Sequence, residues 1–194
     1  MIKNPPLNSY KHWEHAAYPG GSFSSATEAI NSGKLRIGGR RVALVHMGTN
    51  PIDVRGWQDR IPCERRLAEI MQEVKLLYSA IRARNATCFI IFSSVLPRPV
   101  DWVASKRLCI DFNKALRSFA RSKKCGFLPS YTSFIVKEAG PLQGEPLPGL
   151  WARRDGGLHL NLNGRYIMNE RLKSALHVRQ LGVMARQANF PHWR

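Results

Sequence analysis

Acidic side chains are scarce in this sequence: 13 Asp and Glu stand against 30 Lys and Arg, a net charge of +17 at pH 7. That imbalance implies attraction to polyanions, either nucleic acid or an acidic membrane surface. No block of five or more like charges occurs, so the positive charge is dispersed and does not form a basic arm. No apolar run approaches the ~20 residues that span a bilayer. The opening MIKNPPLNSYKHW has no apolar core of a secretory signal. Cysteine is sparse as well. Cys63, Cys88, Cys109 and Cys125 form no CxxC pair, which argues against a zinc site and against a disulfide framework. These absences together lead us to expect an intracellular protein, cytoplasmic or nuclear, without a transmembrane segment. Neither a metal nor an organic cofactor is implied. No internal repeat or low-complexity segment breaks the chain, so a solenoid or a linker array is excluded.

What is present describes one globular domain. At 194 residues, with 44% apolar and 22% charged side chains, the chain can bury a full core. Its organising stretch is residues 41–50, RVALVHMGTN. Val42, Ala43, Leu44 and Val45 are a short apolar run of the kind that forms a buried parallel strand. Gly48 turns the backbone, and Thr49 and Asn50 fall at the strand's carboxyl edge, where open α/β sheets bind ligands. The Asn50 amide offers a neutral donor suited to an oxygen gaining negative charge, although an Asn in that place also simply caps a turn.

Upstream, Pro5-Pro6 block a regular helix, and Pro19-Gly20-Gly21 form a tight turn with available backbone N–H groups. Ser24-Ser25 precede a short helix with Ala26, Ala29 and Ile30 on one side. Downstream, Leu67, Ile70, Met71, Val74, Leu77, Tyr78 and Ile81 recur at helical spacing, with Pro62 suited to the first turn. Residues 87–92, TCFIIF, read as a second buried strand that ends in Ser93-Ser94 and a proline-rich loop at 97–99. A second long helix spans roughly 102–121, with Leu108, Phe112, Ala115, Leu116 and Phe119 inward. A short strand follows near 126–128, then a turn-rich segment at 140–149. Within residues 150–176 a loop leads to a helix carrying Met168, Leu172 and Leu176. Strands alternating with helices give a three-layer α/β/α domain on a parallel sheet. We take that domain as residues 1–178. Residues 179–194 lack a clear period and read as a loosely attached tail.

Asp155 and His159 lie on the loop before the last of these helices. A histidine that acts as a base needs a carboxylate to hold its tautomer, and this short spacing can supply one locally. On its own such a pair is ordinary surface-loop chemistry. With Asn50 and the turn at 19–21 it makes a set: two oxyanion donors, a base and its orienter.

The ordered motifs PGG, VHMGTN and DGGLHLN before a final helix resemble the SGNH (GDSL-like) hydrolases, from about residue 18 to 176. The resemblance implies a flavodoxin-like sheet and hydrolysis of a small ester or acyl group by a serine. Asn50 and Gly20, with Gly21 second, would hold the oxyanion. His159 would be the base and Asp155 its orienting partner. Three departures stand out. Pro51 replaces the Asp of the usual GTND, and three residues, not two, separate Asp155 from His159. The strand ending Gly-Asp-Ser, with its nucleophile, is missing. We therefore expect an N-terminally truncated form that lacks the first strand and is weak or inactive as written. Ser9, Ser22, Ser24 and Ser25 lack the motif around the nucleophile. The competing reading is a basic nucleic-acid-binding module, since domains of this type also resemble segments of retroelement-derived proteins.

Overall fold

A computed structural model describes residues 21–53 and 63–190 of the chain. The first helix, α1 (Phe23–Asn31), begins three residues earlier than expected and takes in the Ser24-Ser25 pair that was read as preceding it. Ser22 is the reason. Its Oγ accepts the Ser25 N–H at 3.1 Å while Ser25 Oγ accepts the Ser22 N–H at 2.8 Å, so two otherwise orphaned donors are satisfied. Strand β1 (Val42–Val45) follows, then α2 (Cys63–Arg84), β2 (Phe89–Ser93), α3 (Trp102–Ser122), β3 (Gly126–Leu128), α4 (Leu162–Leu176) and α5 (Val178–Gln187).

The three strands pair in the order β1-β2-β3, all parallel, with Val45 opposite Phe92 and Phe92 opposite Phe127. Alternation along each strand divides the core between two faces. Ala43, Val45, Ile90 and Phe92 pack under α1, α2 and α3, among Phe23, Ile70, Val74, Phe112 and Leu116. Val42, Leu44, Phe89, Ile91 and Leu128 face the opposite layer, where Ala175 of α4 and Leu181, Met184 and Ala185 of α5 meet them. The result is the expected α/β/α sandwich. A third, smaller cluster around Phe134, Leu150 and Met168 supports the long segment between β3 and α4. Among the described residues no helix is long and apolar enough to cross a membrane.

Two expectations change. Strand β2 is buried along its whole length, but β1 is only half-buried, because among the described residues it has a strand neighbour on one side only. The C-terminal stretch is not loose as far as Phe190. Residues 178–187 form α5, Leu181, Met184 and Ala185 are buried, and the Phe190 ring lies 5.1 Å from that of Phe89. The core thus extends past the boundary drawn at residue 178.

If α5 is an integral layer, Leu181→Ala should cost about 2–5 kcal/mol, as buried leucine truncations do, whereas the exposed control Val103→Ala should stay within ~0.5 kcal/mol. Urea unfolding measures both, and equal midpoints for the two variants would mean that α5 is not docked.

Candidate active site

Parallel strands bring their carboxyl ends to one edge, and the candidate residues collect there. Gly48 closes β1's turn with φ +118, and a Cβ on it would lie 2.6 Å from Val95 Cγ2, so only glycine fits. The next turn, residues 50–53, is closed by the Asp53 N–H donating to the Asn50 carbonyl at 3.0 Å. Pro51 is compatible with it, and its carbonyl accepts from Arg66 Nε at 3.1 Å. Asn50 is exposed, and its Nδ2 donates to the Gly21 carbonyl at 3.3 Å. The two oxyanion candidates Asn50 and Gly21 are therefore adjacent. Gly20 lies outside the described residues, as does Ser9.

Asp155 and His159 meet directly: Asp155 Oδ2 is 2.6 Å from His159 Nδ1. The additional residue between them is absorbed by Gly156 and Gly157, both left-handed at φ +66 and +91. A side chain at Gly157 would lie 2.7 Å from Pro99 Cβ. The other carboxylate oxygen, Oδ1, accepts from the N–H groups of Gly157 at 3.2 Å and Leu158 at 3.0 Å. Burial works to raise the Asp155 pKa, but the hydrogen bonds from the His159 ring and from the His159 and Gly157 backbone outweigh it, and the carboxyl sits below its ordinary value. The His159 side chain is 69% exposed. When the neutral ring donates its Nδ1–H in a hydrogen bond to Asp155, Nε2 is left as the acceptor that a base requires.

Both pairs are tied to one loop, the stretch between β2 and α3. Arg98, fully buried, donates from Nη1 to the Thr49 carbonyl at 2.8 Å, next to Asn50. Its Nε and Nη2 bind Asp101, and Nη2 also reaches Asp53 Oδ1 at 3.0 Å. Pro99 and Val100 then pack against Gly157 and Gly156. Sequence reasoning recognised only a proline-rich loop here. The available signal was an Arg flanked by two prolines with an Asp three residues on, a spacing that suits a local ion pair.

A second missed feature is a polar row across the three strand ends. His46 Nδ1 lies 3.1 Å from Ser93 Oγ, and Ser93 Oγ lies 2.9 Å from Ser130 Oγ. His46 is exposed and both serines are buried, so neither hydroxyl is open to a substrate. Ser22 and Ser25 use their hydroxyls in the α1 cap. Among the described residues, no group of three or more His, Cys, Asp or Glu could hold a metal ion.

No protein-family model and no curated protein matches the chain in sequence. Solved structures do match in fold. A Bacteroides fragilis protein assigned as an acylhydrolase shares 16% identity over 83% of this chain and 72% of its own, with a TM-score of 0.57. A GDSL-like lipase from Bacteroides thetaiotaomicron shares 16% over 80% and 71%, at 0.55. A Streptococcus pneumonia protein assigned as a platelet activating factor shares 18% over 81% and 69%, at 0.60. The chain therefore has the SGNH/GDSL-like hydrolase fold.

Removing Arg98 would take a buried cationic partner from two carboxylates and a donor from a carbonyl. Arg98→Met should cost about 3–5 kcal/mol, and Arg98→Lys should recover little, because one ammonium cannot span three partners. Recovery of the wild-type urea midpoint by the lysine variant would show that charge alone suffices.

Asp155 predicts a pH dependence. A carboxyl whose folded pKa is depressed contributes stability above its unfolded value, near 3.8, and loses it as pH falls through the lower folded value. Asp155→Asn should therefore be less stable than wild type at about pH 6, with the gap closing below about pH 3. A gap that stays constant over that range would contradict the depressed pKa.

Proposed function

We propose that the carboxyl edge of the sheet is the base-and-oxyanion half of a small-ester or acyl-ester hydrolase site, and that the chain is weak or inactive because its sequence contains no Gly-Asp-Ser to supply the serine nucleophile. The observation that carries this reading is the 2.6 Å contact between Asp155 and His159 beneath an exposed imidazole. Asp155 orients the ring. His159 Nε2 takes the proton from an attacking O–H, here that of water, as the O–C bond forms at the ester carbonyl. The carbonyl oxygen gains negative charge, and Asn50 Nδ2 with the backbone N–H of Gly20 or Gly21 stabilises it. The proton then passes to the leaving alkoxide as the tetrahedral species collapses. With water in place of a serine, the acyl-enzyme step is absent and most of the rate enhancement is lost. The Asn50 amide is engaged with Gly21 through one hydrogen and retains a second for substrate.

p-Nitrophenyl acetate turnover tests the reading. The expected result is a rate far below the ordinary enzymatic range of about 1–10³ s⁻¹, without an acyl-enzyme burst, that falls further in His159→Ala and Asn50→Ala. Turnover in the ordinary range that is lost in His159→Ala would show that a nucleophile is present after all. A residual rate indifferent to both substitutions would remove the base and the oxyanion donor from the mechanism.

A further inference from the structure

The excess positive charge is not spread evenly over the fold. In a parallel sheet the segments that feed each strand share one end, opposite the candidate active site. Here those segments are residues 32–41 before β1, 82–88 before β2 and 121–125 before β3. Residues 186–190, at the end of α5, join them through Phe190, which packs on Phe89 and lies under the Arg82 guanidinium at 5.5 Å. Together these four segments contain ten Lys and Arg and no Asp or Glu. Lys34, Arg36, Arg84, Arg121, Lys123 and Arg186 are exposed, and none takes part in an ion pair among the described residues. Elsewhere among the described residues 15 Lys and Arg are interspersed with 11 Asp and Glu, and several pair: Arg65 and Arg66 with Glu69, Lys106 with Glu145, Arg107 with Glu64, and Arg98 with Asp53 and Asp101.

Helix dipoles explain part of this arrangement but not its size. Helices α1, α2, α3 and α5 all end at this face, and each presents about half a negative charge there, about −2 in all. The six exposed cations just named exceed that about threefold on their own. The surplus is a positive face about 20 Å across, from the strand and layer spacings, which matches roughly six phosphates of one nucleic-acid strand.

We infer that the amino-terminal end of the sheet is a phosphodiester-binding face for nucleic acid. Seven of the ten cations are Arg, whose planar fork pairs with phosphate oxygens two at a time. A bilayer fits less well. Among the described residues the exposed large apolar side chains are Leu76, Val103, Leu142, Leu162 and Tyr166, and none lies in these segments to enter the acyl boundary. The contacts available are to the backbone, so binding is independent of base sequence and steep in salt. This inference is independent of the hydrolase reading, because the two surfaces lie at opposite ends of the strands.

The test measures fluorescence anisotropy of labelled single-stranded RNA and duplex DNA, each about 20 nucleotides long, over about 50–500 mM salt, with the full chain. The face variant combines Lys34→Gln, Arg36→Gln, Arg121→Gln and Lys123→Gln. The control removes the same charge from exposed positions elsewhere, with Lys75→Gln, Lys137→Gln, Arg153→Gln and Arg154→Gln. The face variant should lose at least about tenfold in affinity, and its log–log salt slope should fall by about three, since each phosphate contact carries ~0.7–0.9. The control should lose less than about threefold. Equal losses in both variants would overturn the assignment, as would failure of the wild type to bind either probe at the lowest salt. So would a face variant that keeps nucleic acid but loses vesicles of phosphatidylserine.

Discussion

A positive charge with no access to water constrains this structure more than any other single group. Burying a guanidinium is costly unless its donors are matched, and Arg98 matches them with two carboxylates and a carbonyl drawn from separate parts of the chain. The turn after β1 must come to it, because Thr49 and Asp53 are among its partners. The start of α3 must come to it, because Asp101 is the third. Once those are in place, the residues that follow Arg98 are in place too, and Pro99 and Val100 form the floor on which the loop of Asp155 rests. The candidate oxyanion donor and the candidate base are thus positioned by one side chain that touches neither.

The sheet supplies the rest of the rigidity. Strand β2 is buried on both faces, and the loop leaving it is held at once by α3, where the Asn113 side chain accepts the Val95 N–H at 2.8 Å and donates to its carbonyl at 3.0 Å. A loop anchored by two reciprocal hydrogen bonds at one end and a buried ion network at the other has little freedom left. Loops hung on a rigid scaffold in this way are where binding chemistry concentrates.

Much of this was legible in the sequence. The stripes from Leu67 to Ile81 and from Leu108 to Phe119 are long and strongly periodic, so the helices they mark match the structure closely. The run at 89–92 has no polar residue, and β2 is buried throughout. Asp155 and His159 could be paired because their contact is local. What escaped was non-local or short. Arg98 finds Thr49 and Asp53 across the fold, and nothing near it in sequence announces those partners. His46 and Ser93 meet because neighbouring strands place them side by side, which depends on a register no single segment encodes. The apolar positions Leu181, Met184, Ala185 and Ala188 do have helical spacing, but Gly182 interrupts them and the element is only ten residues long. The half-burial of β1 was also invisible, because four apolar residues read the same at an edge as at a centre.

The two left-handed glycines beneath His159 have a further consequence. An unfolded Gly-Gly pair roams more of conformational space than any other dipeptide, so ordering Gly156 and Gly157 forfeits more chain entropy than ordering the helices beside them, residue for residue. Against that cost stand the Asp155 carboxylate with its backbone donors, the Pro99–Val100 floor, and the backbone bonds from Gly157 N–H to the Ala152 carbonyl at 3.0 Å and from Ala152 N–H to the His159 carbonyl at 2.8 Å. Thermal openings begin where that balance is closest to zero. The imidazole therefore stands on a loop whose order depends on these local contacts, none of them to a strand of the sheet, so it can part from its carboxylate without disturbing the sheet.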